Sequence, residues 1–78
     1  MAQAFILVNT ELGTEDQVLA DARGLDIVKE AYMAYGVYDL VLKIQTPTLD
    51  DLKRSIHTQI RNLPNVRGTM SMIVAETC

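Results

Sequence analysis

The chain has 78 residues, 49% of them hydrophobic, and a formal net charge of −3. A domain this short buries only about 60% of the surface its unfolded chain exposes and commonly needs a staple. Two staples are excluded: the single cysteine, Cys78, has no partner in the chain, which points to a reducing, cytoplasmic setting, and one His with one Cys cannot complete a zinc site. Oligomerisation is left.

The N-terminus, "MAQAFILVNTELG", has no basic region ahead of its short apolar run, so it is not read as a signal peptide. Nothing approaches the ~20 apolar residues of a membrane span. "AFILVN", residues 4–9, reads as a strand. Thr14-Glu15-Asp16-Gln17 then fits a capping box for a short helix over 15–23. Val18, Leu19 and Ala22 form its apolar face, and Gly24 is the expected left-handed residue at its end.

Residues 26–35 and 38–45 read as two strands. Gly36-Val37 between them suits a two-residue type II′ turn, whose first position favours glycine. That turn sets Tyr35 opposite Tyr38, Ala34 opposite Asp39, Met33 opposite Leu40, Tyr32 opposite Val41, Ala31 opposite Leu42 and Glu30 opposite Lys43. Met33, Leu40, Ala31, Leu42 and Ile44 then share a core face. The other face holds Asp39, Ala34, Tyr32, Val41 and the Glu30–Lys43 pair, whose opposite charges suit cross-strand pairing.

"PTLDDLKRSIHTQIRNLPN" is the strongest helix. Thr48 caps it, and Leu49, Leu52, Ile56, Ile60 and Leu63 recur at helical spacing. Pro64 and Asn65 end it. "VRGTMSMIVAE" alternates as a last strand. Anchored at Val66, the alternation puts Gly68, Met70, Met72 and Val74 on the core face and Arg67, Thr69, Ser71, Ile73 and Ala75 on the other. Met33, Met70 and Met72 are accordingly read as core.

The order βαββαβ, with each helix carrying one apolar stripe, implies an α+β fold of the ferredoxin-like class: a four-stranded antiparallel sheet with two helices on one face. No element remains for the second face. A second copy of the chain is the economical cover, making a homo-oligomer that dimerises through that face.

Gly36-Val37-Tyr38-Asp39-Leu40-Val41-Leu42-Lys43, the helix ending Leu63-Pro64-Asn65-Val66, and Thr69-Met70-Ser71-Met72-Ile73-Val74 follow in this order along the chain. Together they resemble the effector-binding domain of the Lrp/AsnC (feast/famine) transcription regulators, the RAM domain, from about Ala4 to Glu76. The resemblance implies a single RAM-type domain over residues 1–78 without the helix-turn-helix domain typical of the family. It implies dimers packed sheet against sheet, often joined into an octamer. It also implies an amino acid or related small metabolite as effector, bound between chains near the Gly-x-Tyr-Asp turn. Mixed assembly with full-length Lrp/AsnC regulators is a further expectation.

A free amino acid is a zwitterion, so its site needs a carboxylate for the ammonium and donors for the carboxylate. Asp39 supplies the first, and the N–H groups of Gly36, Val37 and Tyr38 the second. Thr69 and Ser71 offer hydroxyls, and Tyr32 and Tyr38 an apolar wall. Each also has a plainer reading, as turn hydrogen bonding, strand filling or interface anchoring. The Lys and Arg residues never form a run of three, which argues against direct nucleic-acid binding. His57 lies opposite the helical stripe, with no triad partner. No phosphate loop or dinucleotide fingerprint occurs, so no cofactor is expected. The rival functional reading is a small dimeric α+β-barrel enzyme of the monooxygenase or isomerase kind, which would need a His or acid inside the barrel. A purely structural assembly module and an ACT-type sensor are two others.

Overall fold

The structure, a computed structural model, describes residues 1–74. Six elements follow in the order βαββαβ: β1 (Ala2–Thr10), α1 (Glu15–Arg23), β2 (Val28–Met33), β3 (Leu40–Thr46), α2 (Leu49–Ser55) and β4 (Val66–Ile73). All pairings are antiparallel, in the sheet order β2-β3-β1-β4. The expected ferredoxin-like architecture is what the chain adopts.

β1 is central and apolar on both faces. Ala4, Ile6 and Val8 point beneath the helices and are fully buried, together with Leu40, Leu42 and Ile44 of β3. Val18 and Ala22 of α1, and Leu52, Ile56 and Ile60 from α2 and the turn after it, close this core. Each fully buried Leu or Ile contributes about 1.5–3 kcal/mol of transfer free energy. Leu49 is the exception in the predicted stripe, being 46% exposed at the first turn of α2.

The helix caps divide. Thr48 has extended backbone angles, and its Oγ1 accepts the Asp51 N–H at 3.1 Å, as expected; such a cap contributes about 1 kcal/mol. The capping box at Thr14 does not form. Thr14 sits at φ −110°, ψ 9°, outside the extended region a cap requires, and its hydroxyl donates instead to the Glu11 carbonyl at 2.7 Å. Gly24 is right-handed rather than left-handed, and α1 closes through Gly24 N–H to Asp21 O and Leu25 N–H to Ala22 O. The second helical segment also closes on a right-handed residue, Arg61, and the left-handed residue is Asn65, at φ 67°, in the turn just before β4.

α2 runs into a π-helical turn, Ile56–Ile60, in which the Arg61 N–H reaches the Ile56 carbonyl at 3.0 Å. An α-helix has 3.6 residues per turn, so apolar residues four apart drift around its axis. The wider turn offsets that drift and keeps Leu52, Ile56 and Ile60 all buried. His57 lies on the exposed side, as expected.

The β2–β3 register agrees with the sequence reading at Glu30–Lys43, Ala31–Leu42, Tyr32–Val41 and Met33–Leu40. The tight turn does not. Pairing ends at Met33–Leu40, with one further bond from Ala34 N–H to Asp39 O at 2.7 Å, and the chain opens into a loop over Ala34–Asp39. Gly36 takes φ 144°, far from the value near +60° of a type II′ turn.

β4 requires a correction. Thr10 pairs with Val66 but Asn9 pairs with Gly68, so Arg67 is an extra residue, a β-bulge. A bulge advances the alternation by one place. Val66 is on the helix side with Thr10, but beyond the bulge Thr69, Ser71 and Ile73 are there too, opposite Val8, Ile6 and Ala4. Met70 and Met72 fall on the open face, 48% and 47% exposed, not in the core. Met33 is on the helix side as read, though not buried. Ala75 and Cys78 lie outside the described residues.

The open face is crossed by two rows. One runs Tyr32, Val41, Leu7, Met70; the other runs Glu30, Lys43, Phe5, Met72. Lys43 Nζ is 3.3 Å from Glu30 Oε2, and the Tyr32 hydroxyl donates to Glu30 Oε1. The phenol bond first, then the Lys43 bond and charge, hold the Glu30 carboxyl below its usual value; the same carboxylate holds the Tyr32 phenol above its own. A depressed carboxyl stabilises the fold above its unfolded pKa, and that stability is lost as pH falls through the folded value. The group is solvent-exposed, so screening keeps the effect small.

Two outcomes follow from this packing. Leu42→Ala leaves a cavity under both helices and is expected to cost about 2–5 kcal/mol in chemical denaturation at fixed protein concentration. In a Tyr35→Phe, Tyr38→Phe background, ultraviolet titration of Tyr32 is expected to shift to lower pH on Glu30→Gln, because the acceptor loses its charge; no shift would mean that Tyr32 and Glu30 do not interact.

Candidate functional site

Antiparallel pairing brings the C-terminal end of β1, the N-terminal ends of β3 and β4, and the loop over Ala34–Asp39 to one end of the sheet. A cleft of about 500 Å³ opens there, lined by Asn9, Thr10, Leu12, Glu15, Val37, Asp39, Arg67 and Gly68.

Asp39 is built into it from both directions. Its N–H donates to the Val8 carbonyl at 2.9 Å, and its carbonyl accepts the Ala34 N–H. β3 leaves the ladder at Leu40, so Thr10, farther along β1, has no main-chain partner on that side. The Asp39 side chain fills the gap. Its Oδ2 accepts the Thr10 N–H at 2.8 Å and the Thr10 hydroxyl at 3.3 Å. On the other side, the Glu11 N–H goes to the Asn65 carbonyl at 2.8 Å. Oδ1 of Asp39 accepts no hydrogen bond from a described residue. The carboxylate therefore completes the sheet with one oxygen, and Asp39 also lines the cleft.

The loop frames the opening. Among the described residues, the N–H groups of Gly36, Val37 and Tyr38 donate to no acceptor. The rim carries two apolar side chains held in water: Leu12 is 95% exposed and Val37 is 83% exposed. Arg67 is on the β4 side, its Nε 4.0 Å from Glu11 Oε1, the outer limit of an ion pair. Beside it, Gly68 pairs with Asn9, and a Cβ there would meet nothing.

Of the residues singled out from sequence, Val37 and Asp39 line the cleft, and Gly36 and Tyr38 belong to the loop that borders it. Tyr32 stands on the open face, bonded to Glu30, and does not line the cleft. Thr69 and Ser71 face the helix side because of the bulge, so they do not share a face with Tyr32. Thr69 instead lines a shallow depression of about 150 Å³ with Arg61, Val66, Arg67 and Gly68. Asn9, Thr10, Leu12, Glu15, Arg67 and Gly68 were not anticipated. The signal was the topology: it places the end of β1 against the starts of β3 and β4, whichever residues occupy them.

Among the described residues no cluster of His, Cys, Asp and Glu is placed to hold a metal ion, and no helix is long and apolar enough to cross a membrane. Residues 3–78 match the family model of the Lrp/AsnC ligand binding domain. The HTH-type transcriptional regulator FL11 of Pyrococcus horikoshii is 35% identical over 74 residues, which is 95% of this chain and 48% of that protein, so the chain spans about half the length of the curated relatives it matches. The crystal structure of FFRP-DM1 superposes with a TM-score of 0.91 at 43% identity, covering 95% of this chain and 99% of that one. The hypothetical protein PHS023 from Pyrococcus horikoshii gives a TM-score of 0.91 at 42% identity, with 99% and 93% covered. The extent of the family match, its agreement with the order of motifs along the chain, and the shared fold place this chain in the Lrp/AsnC family, as a member of its ligand-binding domain.

Proposed function

We propose that this chain is an oligomeric, non-catalytic effector-binding module of the cytoplasm, working as one RAM-type unit. It binds an amino acid or related small metabolite at the sheet-end cleft and modulates transcription or amino-acid metabolism through its assembly, alone or mixed with full-length Lrp/AsnC regulators. The observation that carries this reading is Asp39: one carboxylate oxygen is tied to Thr10, and the other has no partner among the described residues. A fixed, half-engaged carboxylate in a concave site suits an ammonium group. The unengaged N–H groups at Gly36–Tyr38 suit the carboxylate of the same ligand. The fold neighbour NMB0573 of Neisseria meningitidis, at 18% identity and a TM-score of 0.81, is described as a transcriptional regulator in complex with L-Met. That makes amino acids the first class to test.

The open face supports self-association. Tyr32, Val41, Leu7 and Met70 form an apolar row across all four strands, and no element of the described chain covers it. A second copy buries that row without leaving unpaired charge, since Glu30 and Lys43 already pair. The enzyme reading has less to draw on: the acid in these rows, Glu30, is tied to two partners, and His57 lies on the outer side of the helical layer.

Asp39→Asn keeps an oxygen for Thr10 but removes the charge. It is expected to abolish amino-acid binding in calorimetry with the fold and oligomer intact; unchanged affinity would remove Asp39 from the site. Leu7→Lys puts a charge at the centre of the open face and is expected to give monomers in sedimentation at concentrations where the parent protein is assembled. A parent protein that is itself a monomer there would end the assembly reading.

A further inference from the structure

Arg67 is the residue that the bulge in β4 inserts, and nothing in the sheet uses it. It has no cross-strand partner, its only ion-pair contact among the described residues is the 4.0 Å approach to Glu11, and both groups are well exposed. An exposed pair at that distance contributes little to stability. Bulges beside binding sites re-aim a side chain, and this one sets Arg67 on the wall of the cleft that holds Asp39. The two residues stand on opposite flanks of β1, Asp39 at the start of β3 and Arg67 at the start of β4. Neighbouring strands are 4.7–4.9 Å apart, so their main chains are about 10 Å apart across the end of β1. Both residues line the cleft, and a span of that size between their strands has room for the two charged groups of one α-amino acid. Gly68, next to Arg67, contributes no side chain to fill the space.

We propose that Arg67 binds the effector's carboxylate from the β4 wall of the cleft, together with the loop N–H groups of Gly36–Tyr38, with Glu11 as the internal anion that the effector displaces from it. This rests on the reading of Asp39 as the ammonium site and assigns the opposite pole of the ligand. It also gives the ligand class a sharper edge: the site takes a molecule carrying its ammonium and carboxylate on one carbon, with its side chain directed at the Leu12–Val37 rim. An amine or a carboxylic acid alone satisfies only one wall. A guanidinium offers a planar fork to a carboxylate, which a lysine in its place does not reproduce.

The test begins with calorimetry of the parent protein against the twenty proteinogenic L-amino acids. The tightest binder is then compared with the primary amine left by formal loss of its carboxylate. Arg67→Gln is expected to weaken the amino acid by roughly tenfold or more, the scale of one charge-assisted hydrogen bond, and to leave affinity for the amine unchanged. Arg67→Lys is expected to recover part of the loss, and Glu11→Gln to tighten the amino acid by removing the competing anion. Both positions are exposed, so the variants are expected to keep the parent circular dichroism spectrum. Amino-acid binding that depends on Asp39 but is indifferent to Arg67→Gln would overturn the assignment of Arg67 alone. Equal loss for amino acid and amine would make Arg67 a structural residue of the β4 bulge and overturn the assignment. Failure of the parent protein to bind any of the twenty would overturn the Asp39 reading and this one with it.

Discussion

The structure is organised by the alternation of its central strand. β1 pairs on both sides, and its residues are apolar on both faces, so neither face can be surrendered to water without cost. Ala4, Ile6 and Val8 are fully buried under the helices. Their register with Ile44, Leu42 and Leu40 of β3 leaves no freedom for that strand, because a slip of one residue would turn three buried aliphatic side chains outward. With those three fixed inward, Phe5 and Leu7 are fixed outward, and they carry Val41, Met70 and Met72 with them. One strand thus sets both the core and the apolar open face. The described chain buries only the first.

Legibility in the sequence followed how local each signal was. The cap at Thr48 and the helical stripe from Leu52 to Ile60 are read from neighbours within a turn or two, and both are present. The β2–β3 register survives from Glu30 to Met33, though the turn assumed to set it is absent. The reason is the charge pair and the apolar pattern: they impose the same alignment from within the strands, and a looser loop is compatible with it. β4 shows the opposite case. Val66 was a correct anchor, since it packs against the core. Period-two alternation carried from it then places residues 68–73 on the wrong face, because Arg67 is an additional residue. The methionines made the error plausible, as a strand with Met70 and Met72 on one side and Ile73 on the other has no unambiguous core face. A bulge is a property of a pair of strands, and a single strand read alone does not reveal it.

The site shows the same division. Asp39 stood out as an acid in an apolar hairpin, and it has two partners that no local reading supplies: the Thr10 N–H and hydroxyl, 29 residues away in the chain. The bond answers why an acid is there at all. β3 departs before β1 ends, which would leave a half-buried amide without an acceptor, and such an orphan costs about 1–3 kcal/mol. A side chain that reaches back along the departing strand closes the ladder. The structural role of this residue leaves room for the proposed functional one, because Thr10 engages only one oxygen of the carboxylate.

This arrangement also bears on how binding at the cleft can reach the assembly. Leu12 and Val37 hold their side chains in water at the rim, and a partner that covers them removes apolar area from solvent. On the proposed reading, a ligand between Asp39 and Arg67 would change what that partner meets, since it would neutralise the charges and fill the space beneath the rim. Ligand and neighbour are then coupled by sharing one surface, and no conformational relay through the core is required. The coupling is reciprocal: a ligand held more tightly in the covered cleft than in the open one must favour the covered assembly by the same free energy. The end of the sheet suits that proposal, because Asp39 is already held by Thr10, so that a ligand there would spend little of its binding energy on ordering this side chain.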